Sequence, residues 1–260
     1  MRALAVHTDV IVLVSRVWQT TCTAIRGGAE GFVIDSPVDP DELDALPGLL
    51  EQSGFPVSGL LATHADWDHL LGRLAFPSAS LGCGESTQSR LAGEVGRAQR
   101  ALRAFDEEQY IERRGPLRLG RLQALPVPGR LSLGEDRELE LHLAAGHTAD
   151  GTAYLLPWAE VLVCGDYLSP VEIPMISEGG SLDAYAETLT RLLSLVERSE
   201  TVVPGHGAPL DRARALEVIG EDIAYLEALG QHGADAPLPP GRRTATQQRI
   251  HETNAQLIVT

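Results

Sequence analysis

The residues best suited to chemistry lie in the stretch Thr63-His64-Ala65-Asp66-Trp67-Asp68-His69. Four metal-capable side chains, His64, Asp66, Asp68 and His69, fall within six residues. Imidazole nitrogen and carboxylate oxygen are ligands that zinc, iron and manganese accept. The mostly apolar run Val57 to Ala62 precedes them and Leu70-Leu71-Gly72-Arg73 follows, so the spacing predicts a strand that ends in a tight loop and turns into a short helix. His64 and Asp66 alternate along extended chain and point the same way. A lone His in a loop would read as an ordinary polar loop residue, but two His and two Asp at H-x-D-x-D-H spacing favour a metal site.

Three further segments repeat the arrangement of a ligand-type side chain just after an apolar strand. They are Ala145-Gly146-His147-Thr148, Gly165-Asp166 and Pro204-Gly205-His206-Gly207. Glycine beside each permits a tight turn or close backbone approach. Together the four segments use four of the eight histidines.

The elements that must position these residues follow from periodicity. Val10–Val17 and Thr20–Ile25 read as paired strands, and Gly31–Ile34 as a third that ends at Asp35. Asp39-Pro40-Asp41-Glu42 has the N-cap, N1 proline and third-position Glu of a helix start. That helix carries Leu43, Leu46 and Leu50, with Pro47-Gly48 as a point of kinking or division. A strand is expected near Ala79–Leu81, one helix from Ser86 to Tyr110, and irregular chain from Pro116 to Pro128. Leu131–Leu133 and Leu139–Leu143 read as a hairpin around Gly134-Glu135-Asp136, with Leu139, Leu141 and Leu143 inward. Strands Thr152–Leu156, Val161–Cys164 and Thr201–Val203 follow. Helices are expected from Ser181 to about Glu197, from Asp211 to Leu229 and, after the linker Pro237–Gly241, from Thr244 to Leu257. Strands followed by helices, twice over, predict two packed sheets with helices outside, an α+β architecture.

The 260 residues are 43% hydrophobic and 22% charged, a globular composition. The net charge of −15 opposes binding of long nucleic acids. Cys22, Cys83 and Cys164 are odd in number, far apart and outside any C-x-x-C pattern. They suggest neither a disulfide framework nor a thiolate zinc site, and a reducing cytoplasm fits. The apolar run Val10–Val14 is too short for a signal segment or membrane span, so no membrane association is expected.

This set of motifs resembles the metallo-β-lactamase superfamily, whose signature is H-x-H-x-D-H followed by single His, Asp and His motifs. The Gly-His-Thr and Pro-Gly-His-Gly texts are most similar to its glyoxalase II-like hydrolases. The resemblance runs from about Val10 to Leu229. It implies a four-layer αββα sandwich with a two-metal site on the edge between the sheets, formed by residues 1–231. Residues 232–260 are expected to form a linker and a C-terminal helix on the same domain. By this resemblance His64 and His147 bind one metal, Asp68, His69 and His206 bind a second, and Asp166 bridges both. Asp68 and Asp166 are the expected catalytic carboxylates. Asp35 matches a family Asp that supports the site, and equally reads as a strand-end turn residue.

The chain departs from the pattern at Asp66, where the family usually has His. Asp66 is either a substitute ligand, the preferred reading, or too short to hold the first metal well. A third carboxylate should make the centre less Lewis-acidic and shift preference toward harder ions. Two divalent ions are expected, zinc first, with iron or manganese as alternatives. Replacing Asp66 by His is expected to preserve or strengthen zinc binding.

The resemblance implies metal-assisted hydrolysis of a small ester, thioester or lactone. The alternatives are a phosphodiesterase or nuclease of the same superfamily, and a diiron redox or non-catalytic metal-binding protein. A homodimer is compatible with the sequence. Trp67 and Tyr167 are read as pocket-lining or packing residues. The arginines from Arg97 to Arg114 read as a solvated helix face or a lid, and His251 with Asn254, on one helix face, as a surface pair or, alternatively, a pair folded back over the site.

Overall fold

Alternation of apolar residues builds the strands, and the layer each side chain enters places the site. The computed structural model describes residues 1–134 and 137–258. One sheet has seven strands in chain order: β1 (Arg2–His7), β2 (Val10–Val14), β3 (Thr21–Gly27), β4 (Glu30–Asp35), β5 (Gly59–Ala62), β6 (Ser80–Gly84) and β7 (Leu122–Leu125). The first four pair antiparallel, while β4 through β7 run parallel. The second sheet has six strands: β8 (Gly129–Ser132), β9 (Glu138–Leu143), β10 (Thr152–Leu156), β11 (Val161–Val163), β12 (Thr201–Val203) and β13 (Leu210–Asp211). There β11 and β12 are parallel, with Val163 opposite Val203.

Between the sheets lies an apolar layer containing Val12, Ile25, Ile34 and Leu61 from one and Leu139, Tyr154, Val163 and Val203 from the other. The helices α1 (Pro40–Gln52), α2 (Gly72–Ala75), α3 (Glu85–Gly93) and α4 (Arg97–Gln109) belong to the first half. Leu43 and Leu46 of α1, Leu102 of α4 and Leu71, just before α2, pack on the outer face of the first sheet. The helices α5 (Leu182–Val196), α6 (Arg212–His232) and α7 (Ala245–Ile258) cover the second sheet through Leu189, Ile219, Leu226 and Ala255. The result is the expected αββα sandwich. No helix among the described residues is long and apolar enough to cross a membrane.

Local chemistry starts the helices where the sequence predicts. Asp39 caps α1 by accepting from Asp41 N, Ser181 caps α5 and Asp211 caps α6; such caps contribute about 1 kcal/mol each. Glu42 does not close a capping box. Its carboxylate instead accepts from Ser15 Oγ and Arg16 N, joining α1 to the first sheet. Helix α1 runs through Pro47 without dividing.

Several expectations are corrected. Strand β2 stops at Val14, because Trp18 and Gln19 take positive φ values of 52° and 53° in the turn that follows. The expected helix 86–110 is two helices, broken where Gly96 adopts φ 77°. The stretch 116–128 includes β7, an edge strand of four residues, Leu-Gln-Ala-Leu, too short for an alternation to stand out. Strand β1 has the same edge character and no sequence expectation met it. Leu143, the last residue of β9, is exposed rather than inward. The β8–β9 hairpin forms, but Glu135 and Asp136 of its expected turn lie outside the described residues.

Candidate metal centre

Parallel neighbours end at the same edge of a sheet, and that rule gathers the site. Asp35 ends β4, His64 follows β5, Asp166 follows β11 and His206 follows β12. The β9–β10 connection adds His147. Close approach demands glycine: a Cβ on Gly205 would overlap Asp166 Oδ1, and Gly165 turns the chain at φ 62°.

All seven ligand-type residues expected from the sequence meet there. His64, Asp66 and His147 form one group, and Asp68, His69 and His206 another, with the donor atoms of each group within 4.8 Å of one another. Asp166 stands between them. Its Oδ2 faces His147 Nε2 at 3.3 Å and His64 Nε2 at 3.7 Å, while Oδ1 faces His69 Nε2 at 3.1 Å and His206 Nε2 at 3.5 Å. In the first pocket Asp66 Oδ2 lies 3.4 Å from His147 Nε2. In the second, Asp68 Oδ2 lies 3.5 Å from both His69 Nε2 and His206 Nε2.

Each imidazole is oriented through its other nitrogen. His69 Nδ1 donates to Asp35 Oδ2 at 2.9 Å, His147 Nδ1 to the Met175 carbonyl at 2.7 Å, and His206 Nδ1 to the Trp18 carbonyl at 3.1 Å. Thr63 Oγ1 donates to Asp35 Oδ2 and so accepts from His64 Nδ1 at 3.0 Å. With Nδ1–H engaged, each imidazole turns Nε2 to the shared centre, where loss of any proton frees a lone pair for a cation. His64, His69 and His147 Nε2 and Asp166 Oδ1 are buried without a hydrogen-bond partner. Buried polar atoms left so cost about 1–3 kcal/mol each. Divalent cations fit this set of nitrogen and oxygen donors.

The electrostatics have the same origin. Burial works against a charged His206, but Asp166, Glu172 and Asp68 outweigh it and push its pKa up to about 10. Burial likewise opposes charge on His147, yet Asp66 and Asp166 raise it to about 9. Asp166 is held well below the carboxylate range despite burial, by His69, His206 and His64. His64 moves the other way, lowered by burial and by His69. A cation entering this centre displaces protons that the carboxylates hold on the imidazoles.

Asp35 shows how much one strand-end carboxylate can fix. It accepts from Thr63 N and Thr63 Oγ1, both at 2.8 Å, as well as from His69. Its φ of 58° is a conformation that costs a non-glycine residue about 1–3 kcal/mol.

Two residues here escape sequence reasoning. Arg90, on α3, donates to Asp66 Oδ1 at 2.9 Å and to Asp150 Oδ1 at 2.8 Å. Asp150 accepts from Ala65 N at 2.9 Å through its other oxygen. Its place three residues after His147 is a faint signal; Arg90, one of many arginines in helical text, gives none.

A cleft of about 1290 Å³ opens over the ligands. Trp67 lines it with Trp18 and Phe105, three rings packed with centroids 4.9–5.5 Å apart. Tyr167 is instead buried against Tyr185 and accepts from His147 N. Arg97 borders the cleft, whereas Arg113 is buried against Asp106 and the Val38 carbonyl. His251 and Asn254 are no surface pair. Asn254 is fully buried and binds Ile176 N and the Pro174 carbonyl, steadying the loop whose Met175 carbonyl holds His147. Cys164 is a buried core residue.

Comparison with known proteins agrees with this geometry. The family model of the metallo-beta-lactamase superfamily matches residues 15–206. No curated protein matches by sequence. Among solved structures, the metallo-beta-lactamase family protein TTHA1429 from Thermus thermophilus is 20% identical with TM-score 0.68, over 98% of this chain and 94% of that one. The stereoselective inverting sec-alkylsulfatase Pisa1 from Pseudomonas sp. is 13% identical with TM-score 0.73, over 98% of this chain and 49% of its own. TTHA1623, in a di-iron-bound form, is 21% identical with TM-score 0.61, over 80% of this chain and 97% of its own. These likenesses are of fold. The family match, which spans most of the chain, goes further: the chain belongs to the metallo-beta-lactamase superfamily, a group of metallo-hydrolases.

Proposed function

We propose that this protein is a binuclear metal-dependent hydrolase of a small ester, thioester or lactone. The observation that carries the reading is the shared carboxylate: Asp166 turns one oxygen to each of two pockets of imidazole and carboxylate donors. His64, Asp66 and His147 would hold one ion, Asp68, His69 and His206 the other, and Asp166 both. Ions so held acidify a water and neutralise the negative charge that develops on the substrate oxygen during attack.

The chain's own residues do the rest. Thr63, Asp35, Met175 and Trp18 keep the four imidazoles aimed inward, so no reorganisation is needed when charge develops. Trp67, Trp18 and Phe105 give the cleft an apolar wall beside Asp66 and Asp68, suited to the apolar part of an acyl group and to excluding water.

The cleft's charges favour this reading over a phosphodiesterase. Arg16 is paired with Asp39 and Asp41, Arg90 with Asp66 and Asp150, and Arg97 with Glu94 and Glu178. Glu94, Glu108 and Glu172 line the same space. Burial and then the carboxylates of Asp166 and Asp68, against His206, raise the Glu172 pKa. Arg249 of α7, which donates to Thr246 Oγ1, also lines the cleft, so a phosphodiester would meet three arginines paired with carboxylates, one with no acidic partner among the described residues, and several carboxylates; a neutral ester would not depend on cations.

The test combines metal analysis of protein purified without added metal with a panel of thioesters, lactones, carboxylic esters and phosphodiesters. Two divalent ions per chain, with turnover of the carbonyl substrates and not of phosphodiesters, is the expected result. Preferential phosphodiester turnover would overturn the substrate class. Iron with a visible absorption band and no hydrolysis would favour a redox role, the reading that three carboxylates among seven donors leave standing.

A further inference from the structure

Asp66 has two oxygens, and the fold treats them differently. Oδ2 faces His147 and His64 across the first pocket, at 3.4 Å and 3.7 Å. Oδ1 receives Arg90 Nη2 at 2.9 Å. The other arm of that guanidinium, Nη1, reaches Asp150 Oδ1 at 2.8 Å, and its Nε lies 3.5 Å from Glu94.

Asp150 is itself anchored. It is buried, accepts from Ala65 N at 2.9 Å, and also accepts from Thr148 Oγ1 at 2.9 Å. Ala65 lies between His64 and Asp66, and Thr148 follows His147. The Arg90 fork therefore rests on a carboxylate tied to the same two loops that carry the first-pocket imidazoles. Only 12% of the Arg90 side chain is exposed, so bulk water screens these contacts little.

A free carboxylate beside a divalent ion can offer one oxygen or two, and it brings a full negative charge where imidazole brings none. A planar guanidinium on one oxygen settles both matters: it withholds that oxygen and offsets part of the charge. We infer that Arg90 is a positioning residue for the first ion, holding Asp66 as a one-oxygen ligand so that a carboxylate can complete a pocket otherwise built from two imidazoles. This rests on the reading of Asp66 as a ligand. It reverses the expectation from sequence alone, that Asp66→His preserves or strengthens zinc binding, because the new imidazole would face a guanidinium that has lost one of its partners.

The test is a double-mutant cycle on full-length protein, with zinc affinity read by competition against a chromophoric chelator and no substrate present. The four proteins are wild type, Arg90→Gln, Asp66→His and the double variant. The binding step that Asp66→His alters marks the first pocket. Arg90→Gln is expected to weaken that step about 10- to 100-fold, the range for losing a partner of a metal ligand. Asp66→His alone should weaken it as well. The double variant should bind more tightly than Asp66→His alone, so removing Arg90 has opposite effects in the two backgrounds.

Effects of Arg90→Gln that agree within about twofold in both backgrounds would be additive and would overturn the inference, leaving Arg90 as a support for Asp150. Failure of all four proteins to bind zinc would sink the proposed metal centre and the inference with it, a result distinct from additivity. Should Arg90→Gln unfold because Asp150 loses its cation, Arg90→Lys keeps a charge without the fork. Cobalt(II) loaded into that variant should absorb less strongly in the visible than in wild type, as Asp66 engages a second oxygen and the coordination number rises. Wild-type affinity and spectrum in Arg90→Lys would also overturn the inference.

Discussion

The two pockets share Asp166 but are braced in different ways. The pocket of Asp68, His69 and His206 is braced by groups at the edge of the first sheet: the Asp35 carboxylate at the end of β4, and the Trp18 carbonyl in the turn after β2. The pocket of His64, Asp66 and His147 leans on long-range side chains, Arg90 from α3 and Asp150 from the β9–β10 connection, and on a carbonyl in a loop that Asn254 of α7 holds. The pocket of the family-type Asp68 likewise holds two imidazoles, and among the described residues no arginine pairs with its carboxylate. The pocket with the exchanged ligand has one. A ligand substitution in a metal site is thus a change of at least two residues, the donor and whatever balances its charge and orients it.

The most severe way to break the comparison is to remove what the pockets share. Asp166→Ala is expected to empty both pockets together and to lower hydrolysis about 1,000-fold or more, beyond the loss of a single oxyanion donor. Metal content and turnover of the same preparations check it, and an active variant retaining two ions would show that the pockets do not depend on that carboxylate. A milder cut separates them. Asp35→Asn keeps the shape and tolerates the positive φ, but it weakens acceptance from His69 Nδ1 and from Thr63 Oγ1. The ion beside His69 should bind about 10-fold more weakly, at the low end for loss of a ligand's partner. The ion beside His64, reached only through Thr63, should lose less. Stepwise chelator titration distinguishes the steps; equal losses at both would mean that Asp35 acts on the centre as a whole.

This asymmetry also marks how far the sequence can be read. The ligands are legible because most stand at the end of an apolar strand, where β-periodicity stops and glycine begins, and because parallel strands must end together. Asp35 is legible for the same reason, although its reach to Thr63 N and to His69 is not. Arg90 is not legible: it acts across 60 residues on Asp150 and 24 on Asp66, and such contacts leave no local period. Asn254 reads wrongly as exposed because the i, i+3 spacing with His251 identifies a shared helix face without saying what that face meets. The buried partners are Tyr225, the Ala234 carbonyl and the loop 173–176. In the same way β7 leaves no signal, because an edge strand needs only one row of contacts and its four residues, Leu122 to Leu125, are too few to show a period.

The least drastic perturbation is pH. His206 and His147, raised to about 10 and about 9 from 6.5, hold protons more tightly folded than unfolded. Their contribution to the stability of metal-free protein is full below pH 6.5 and disappears as pH climbs through 9 and 10. His69, also raised, acts in the same sense, while His64, lowered, acts below that window. Metal-free protein is therefore expected to melt at steadily lower temperature from about pH 7 to about pH 10. Zinc-loaded protein has already exchanged those protons for cations and should hold its melting temperature over that range. The buried thiols Cys22, Cys83 and Cys164, whose pKa values burial raises, cost stability at high pH in both forms, so the readout is the difference between the two melting curves. A constant difference would mean that the histidine protons do not compete with the cations. A gap that widens with pH would place that competition at the raised imidazoles His69, His147 and His206, which belong to both pockets, and so tie the protons of the metal-free centre to the cations that replace them.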